Sequence, residues 1–444
     1  EVAGHRKKGP ALPPEPVAAR KPRRPRARKF YIPYFADDAH VYAGILRYAG
    51  FEASILPPPD AQSRRKGEKF SSGKECHPYM VLAGDLVRLA ESRSKGDPPA
   101  VFMFPGTAIP CLLTQYGPGH RLILDQLGEA GIEVMTPNHK DLYEFVGLQG
   151  GVRMWRGFVA VDLLTKASCV LRPYEARRGS VDKVHELNLL AIEKSVAGGS
   201  ILAATRECIA RLSAVAIDKE AWKRRDKPVV GVAGDIYTRV NRFANQDLIA
   251  KLAEMGCEAW PSSFIVDIFD FGLSSAVRTS LHRREVQDFF QQGSLLLLKE
   301  MSGAGIKNLF RGPFRPAAEP PYEEVVGIAA PYVGERANQI LMLNTAKMVD
   351  FARKGVDGII NAVCFNCMVG SVSAAIISRL RKDHGNVPVV NMVFGEAEGA
   401  SQELRLEAFV HQVKTFARRK KGLASLCGGI VPAQACGQAA EVGV

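Results

Sequence analysis

No stretch of this 444-residue chain is apolar for long enough to cross a bilayer, and none reads as a secretory signal. A membrane span is therefore not expected, and the cytoplasm is the default location. Cysteine is sparse. Nine residues spread over this length do not make a disulfide scaffold. In a reducing compartment, cysteines placed at loop ends point instead to metal binding or catalysis. Phosphate-binding loops are missing as well. The stretch "GVAGDIYTRVNRFAN" follows a strand pattern but lacks the G-x-G-x-x-G spacing, and no G-K-S/T follows it. ATP binding through such a loop is not expected of this chain. There is no metalloprotease helix motif, and no Ser, His and Asp stand in a supporting context.

Aromatic residues are absent from the first 29 positions, which hold ten Lys/Arg against Glu1 and Glu15. Much of the formal charge of +13 therefore sits in "RKKGPALPPEPVAARKPRRPRARK", and the remaining body is only mildly basic. A Pro-rich, like-charged segment cannot bury a core and reads as an extended tether. Contact with nucleic acid is the weaker reading. Because the chain starts at Glu1 and not Met, it reads as the later part of a longer polypeptide, with the tether as a domain junction.

What is abundant is alternation. "KFYIPYF", "FEASILPPP", "PAVFMFPG" and "IEVMTPN" read as strands, and "DDAHVYAGILRYAG" and "HRLILDQLGEAG" as helices closed by glycine. Strands alternating with helices imply βαβ units and parallel sheets. Residues 148–222 read as mostly helical, and the α/β pattern restarts at "KPVVGVAGDIYTR" and resumes at "GVDGIINAVCFNCMVG". The expected fold is α/β, with two open Rossmann-like parallel-sheet domains joined by a helical segment. Residues 1–28 form the basic linker, 29–225 the first α/β domain with a helical extension, 226–420 the second, and 421–444 a flexible tail.

Open parallel sheets bind ligands beyond the carboxyl ends of their strands, and that rule sorts the cysteines. Cys76, in "SSGKECHPYMVLAGDLVRLA", stands at the mouth of a helix expected to start near Pro78. Cys111 follows a strand and a Pro-Gly turn. Cys364 and Cys367 lie where an apolar strand gives way to a helix. A cysteine at a helix N-terminus is favoured as thiolate, the form that metal ligation and nucleophilic chemistry both need. Three readings of these positions stay open: small buried apolar residues, a redox or zinc pair at Cys364 and Cys367, or ligands of an iron–sulfur cluster. Cys169, Cys208 and Cys257 fit the core, while Cys427 and Cys436 fall in the tail. His77 and His120 flank two of the candidate ligands and are expected to face solvent. Asp235, Tyr237, Arg239, Asn241 and Asn245 form a polar run that either caps a helix and pairs across domains or lines a cleft.

Four segments, "GKECHPYMVLAGDL", "PCLLTQYGPGHRLILDQLG", "GDIYTRVNRFANQDLIAKLAEMGCEAW" and "GVDGIINAVCFNCMVGSVSAAI", together resemble the 2-hydroxyacyl-CoA dehydratase superfamily. The nearest branch is the activase-related, double-cubane one, whose members are often fused behind or encoded beside an ATP-dependent activase. The likeness spans most of residues 29–420, with the four motifs in matching order. It implies that Cys76, Cys111 and Cys367 ligate a [4Fe-4S] cluster or a linked [8Fe-9S] double cubane, with Cys364 as a neighbour. One position departs from the family: "CLLTQYG" stands where an arginine and a glycine commonly follow the second cysteine. The implied function is an iron–sulfur protein that accepts low-potential electrons from an ATP-dependent activase, as a separate chain or upstream domain, to reduce or dehydrate a substrate. A homodimer or heterodimer would shield the cluster. The alternative is a non-catalytic module, cluster-bearing or metal-free, fused to or partnering an activase.

Overall fold

Four short strands open the computed structural model, which describes residues 28–94, 96–106, 111–311, 319–334, 337–395 and 400–426. They are β1 (Lys29–Ile32), β2 (Glu52–Ile55), β3 (Ala100–Met103) and β4 (Ile132–Met135). A second set follows: β5 (Val229–Gly234), β6 (Glu258–Pro261), β7 (Gly358–Cys364) and β8 (Val389–Phe394). Every pairing is parallel, and the two sheets share one order, β2-β1-β3-β4 and β6-β5-β7-β8. Parallel central strands are covered on both faces, so they must be apolar throughout. All residues of β3 and β7 are accordingly buried. The expected α/β class and the paired parallel sheets are what the structure has.

Helix ends follow local chemistry. Asp60 accepts hydrogen bonds from the Gln62 and Ser63 amides and closes a capping box on the helix Ala61–Glu68. Gly128, at φ 66°, ends the helix Tyr116–Leu127 in the left-handed conformation. Between the sheets lie the long helix His139–Leu171, interrupted at Gly147, and the helices Ser180–Ala197 and Ile201–Ser213. A further block of helices, Ile265–Arg283, Val286–Leu309, Tyr322–Val333 and Gln339–Arg353, separates β6 from β7. The alternation pattern left that block unassigned. The last helix, Ala400–Leu426, runs six residues into the segment expected to be a flexible tail, because Leu406, Phe409, Val410 and Val413 anchor it beneath the second sheet. Apart from Arg28, the basic linker lies outside the described residues, as does the tail beyond Leu426.

In each sheet the chain changes direction between the first and third strands, so a crevice opens at the carboxyl ends of β1 and β3 and of β5 and β7. The two crevices face one another. Phe35, from the loop after β1, stacks on Phe264 at 5.2 Å and meets the edge of Tyr237 at 4.6 Å. Asn241 donates to the carbonyls of Tyr34 and Phe35, at 3.0 and 3.1 Å. One apolar core therefore runs through the junction.

Gly234 ends β5 at φ 142°, and a Cβ there would sit 1.8 Å from the Ala362 carbonyl oxygen of β7. That contact is with backbone and has nowhere to go. Gly234→Ala is expected to cost roughly 3 kcal/mol or more, read as a fall in the denaturation midpoint. An unchanged midpoint would show that β5 and β7 tolerate separation at this level.

A candidate thiol site between the two sheets

Just past Gly234, the Asp235 carboxylate organises the strand ends. Its Oδ1 accepts from the amides of Tyr237 and Thr238, both at 2.8 Å, and its Oδ2 accepts from the Cys364 amide at 2.6 Å. The turn after β5 is thereby tied to the end of β7. Beyond Cys364, Asn366 takes φ 59°, a left-handed conformation that asparagine tolerates better than most residues. This turn brings Cys367 back over Cys364 and sets it as the N-cap of the helix Met368–Asp383, its Sγ accepting from the Gly370 amide at 3.3 Å. The Sγ atoms of Cys364 and Cys367 and a carboxylate oxygen of Asp235 all lie within 4.8 Å of one another. Among the described residues no other group of His, Cys, Asp or Glu gathers in this way.

The first domain supplies the other two thiols. Cys76 is the N-cap of the helix His77–Glu91, with Pro78 in its first turn. Two contacts latch this loop to the second domain: the His77 amide donates to the Phe365 carbonyl at 3.4 Å, and Asn366 Nδ2 donates to the Gly73 carbonyl at 3.1 Å. Cys111 precedes the single turn Leu112–Gln115 that leads into the helix Tyr116–Leu127. Cys76 and Cys364 are buried, while Cys111 and Cys367 are half-buried, so the group opens to solvent on one side. The loops that carry Cys76, Cys111 and Cys367 thus meet at the junction, while the group within 4.8 Å is Asp235, Cys364 and Cys367. The structure also makes Cys364 an immediate partner of Cys76 and Cys367, closer into the group than the flanking place its spacing suggested.

The charge states are unequal. Cys76 is held below the ordinary thiol range, first by its hydrogen bond with Cys364 and then by Tyr116, whose hydroxyl lies 2.6 Å from its Sγ. Burial lifts Tyr116 well above the usual phenol range, so its hydroxyl keeps its proton near neutral pH. Cys364 goes the other way, well above its ordinary value, because its bonds to Cys367 and Cys76 place the shared proton on it. Cys111 is pushed up to about 11, chiefly by burial and further by the charges of Cys76, Cys367 and Asp235. Ionising Cys111 and Cys364 beside Cys76 runs against those upward shifts, and a cation among the thiols would offset them. Soft sulfur donors at helix N-termini, with a half-open face, suit a thiophilic metal or an iron–sulfur cluster.

Cys169, Cys208 and Cys257 are buried in the core, as expected. The histidines are not where they were expected. His77 and His120 are 3% and 0% exposed. His120 stacks on Tyr79 at 5.1 Å, with Phe102, Phe104 and Tyr116 around it, and neither of its ring nitrogens is bonded. The polar run after β5 takes the first of the two places proposed for it: Asn241 donates across the domains to the Tyr34 and Phe35 carbonyls, Asn245 accepts from the Leu248 amide, and Asp235 accepts from the Cys364 amide. Tyr116 was missed. Its only signal was an aromatic residue one helical turn beyond Cys111.

Scanned against models of known families, the sequence matches none, and no curated protein is significantly similar to it.

Burial holds both His77 and His120 down at about 4. In the unfolded chain each ring takes its proton near 6.5. The native state is then the poorer proton binder, so its stability is full above roughly pH 6.5 and is lost as pH falls toward 4. Unfolding free energies taken at steps across that window are expected to fall by a few kcal/mol, with a shallower slope in His120→Phe. An identical slope in the variant would show that His120 is not a source of the loss.

Proposed function

We propose that this chain is an iron–sulfur electron acceptor of the 2-hydroxyacyl-CoA dehydratase and activase type, reduced at low potential by an ATP-driven activase and passing electrons to a substrate. The observation that supports the reading is the meeting of the Cys76, Cys111 and Cys367 loops, from two domains, at one junction where Cys111 and Cys367 are half-buried. Cys76, Cys111 and Cys367 would hold the cluster, and a reduced cluster supplies single electrons at low potential. The chain's own groups account for the rest. The Tyr116 hydroxyl lies 2.6 Å from Cys76 Sγ, where it would steady a negative charge on the sulfur. The Gly370 amide does the same for Cys367. Asp235 fixes the Cys364 backbone, so the thiol pair keeps its orientation. Leu112, Met368 and Val372 are exposed apolar side chains beside Cys111 and Cys367, a surface suited to a docking partner or a second subunit.

One observation favours a second reading, a single thiophilic ion such as zinc: the close grouping of Cys364, Cys367 and Asp235. Metal analysis separates the two. Protein purified without oxygen is expected to carry iron and acid-labile sulfide in near-equal amounts. Cys76→Ala, Cys111→Ala and Cys367→Ala should each lose most of that iron, whereas Cys169→Ala and Cys257→Ala keep it. Stoichiometric zinc with no sulfide would replace the cluster reading with the single-ion one. Equal iron loss in both groups of variants would remove the ligand assignment.

Electron delivery is tested by mixing reduced activase, ATP and this protein without oxygen and following reduction by electron paramagnetic resonance. The signal is expected to require ATP and to vanish in Cys111→Ala. Reduction at the same rate without ATP would sink the activase partnership.

A further inference from the structure

A cavity of about 550 Å³ lies away from the thiols, among the helices that separate β6 from β7 and the long helix His139–Leu171. Ligand pockets commonly span roughly 300–1,000 Å³, with mostly apolar walls and a few placed polar groups. Val159, Leu163, Phe271, Val325 and Leu343 provide apolar wall here. At depth stands Asp267, 6% exposed. Its Oδ1 pairs with Lys347 Nζ at 3.2 Å, while its Oδ2 is buried without a hydrogen-bond partner. A buried acceptor left unpaired is costly, so this oxygen marks a place where a ligand donor belongs.

The donor's type follows from its neighbours. Lys347 is buried beside Asp267 and also pairs with Glu319, which Lys166 shares. A ligand ammonium would meet two buried lysines, whereas a hydroxyl donates to Asp267 without adding charge. The mouth is different. Lys307, Asn308 and Arg311 are exposed there. Lys307 is partly neutralised by Glu300 at 3.2 Å, and the Arg311 side chain has no partner among the described residues. That puts the Arg311 guanidinium at the mouth, in the planar form that grips a carboxylate at two points.

We propose that this cavity binds an amphipathic hydroxycarboxylate, with its hydroxyl on Asp267, its apolar body along the helices and its carboxylate at Arg311. The site is independent of the thiol chemistry, so its failure would leave the iron–sulfur reading untouched.

Calorimetric titration of the full chain with ω-hydroxydecanoate tests it, beside decanoate, which lacks the hydroxyl, and decanediol, which lacks the carboxylate. The hydroxycarboxylate should bind at one site, and each comparison compound about tenfold more weakly. Arg311→Ala, an exposed change that should not disturb folding, should weaken both carboxylates by about tenfold and leave decanediol unaffected. Ala304→Trp, which fills the cavity from its exposed wall, should abolish binding of all three. Absence of binding by ω-hydroxydecanoate at millimolar concentration would overturn the proposal, as would binding unchanged in both variants. Decanediol binding as tightly as the hydroxycarboxylate would overturn the place of the carboxylate at Arg311.

Discussion

The Asp235 carboxylate holds the centre of this structure. It accepts three backbone N–H groups, two from the turn that follows β5 and one from Cys364 at the end of β7. Charge-assisted hydrogen bonds of this kind are among the stronger ones available to a protein. Gly234 lets β5 approach β7 closely enough for the third bond to form. Without that anchor, the Cys364–Cys367 turn would be placed by the Phe365 amide on the Phe394 carbonyl and by the His77 and Asn366 latches.

The second constraint is the mutual position of the two domains. Cys76 and Cys111 belong to one and Cys364 and Cys367 to the other, so the group exists only while the junction is closed. Aromatic packing of Phe35 against Phe264 and Tyr237 contributes about 1 kcal/mol per pair beyond burial. The Asn241 and Asn366 bonds add direction to that packing: each spans the junction and ends on a backbone carbonyl. A rigid junction suits a site whose donors must be in place before any ion arrives, since ligands held ready lose little entropy on binding.

Much of this was legible in the sequence, for physical reasons. Strands buried on both faces are runs of Val, Ile, Phe and Ala, so β3 and β7 stood out, and glycines closed the helices between them. The loop-end rule picked out Cys76, Cys111, Cys364 and Cys367, the four thiols that the structure places at the junction. What escaped was contact between residues remote in sequence. The cage of Tyr79, Phe102, Phe104 and Tyr116 around His120 comes from two helices and a strand, and no local pattern announces it. Cys364 was set aside on linear spacing, but the left-handed turn at Asn366 brings its thiol and that of Cys367 together. The helices after β6 went unread because their apolar faces line a cavity and a junction as well as one core, which blurs their periodicity.

The division of the thiols between two domains also sets an order of events in the cell. A ribosome finishes Cys76 and Cys111 long before it reaches Cys364 and Cys367, and during that interval the first domain holds only two of the four thiols. The four thiols can come together only after the second sheet has folded and the Asn366 side chain has met the Gly73 carbonyl. Their grouping is thus a late step that reports on the whole chain: a nascent or truncated polypeptide cannot complete it.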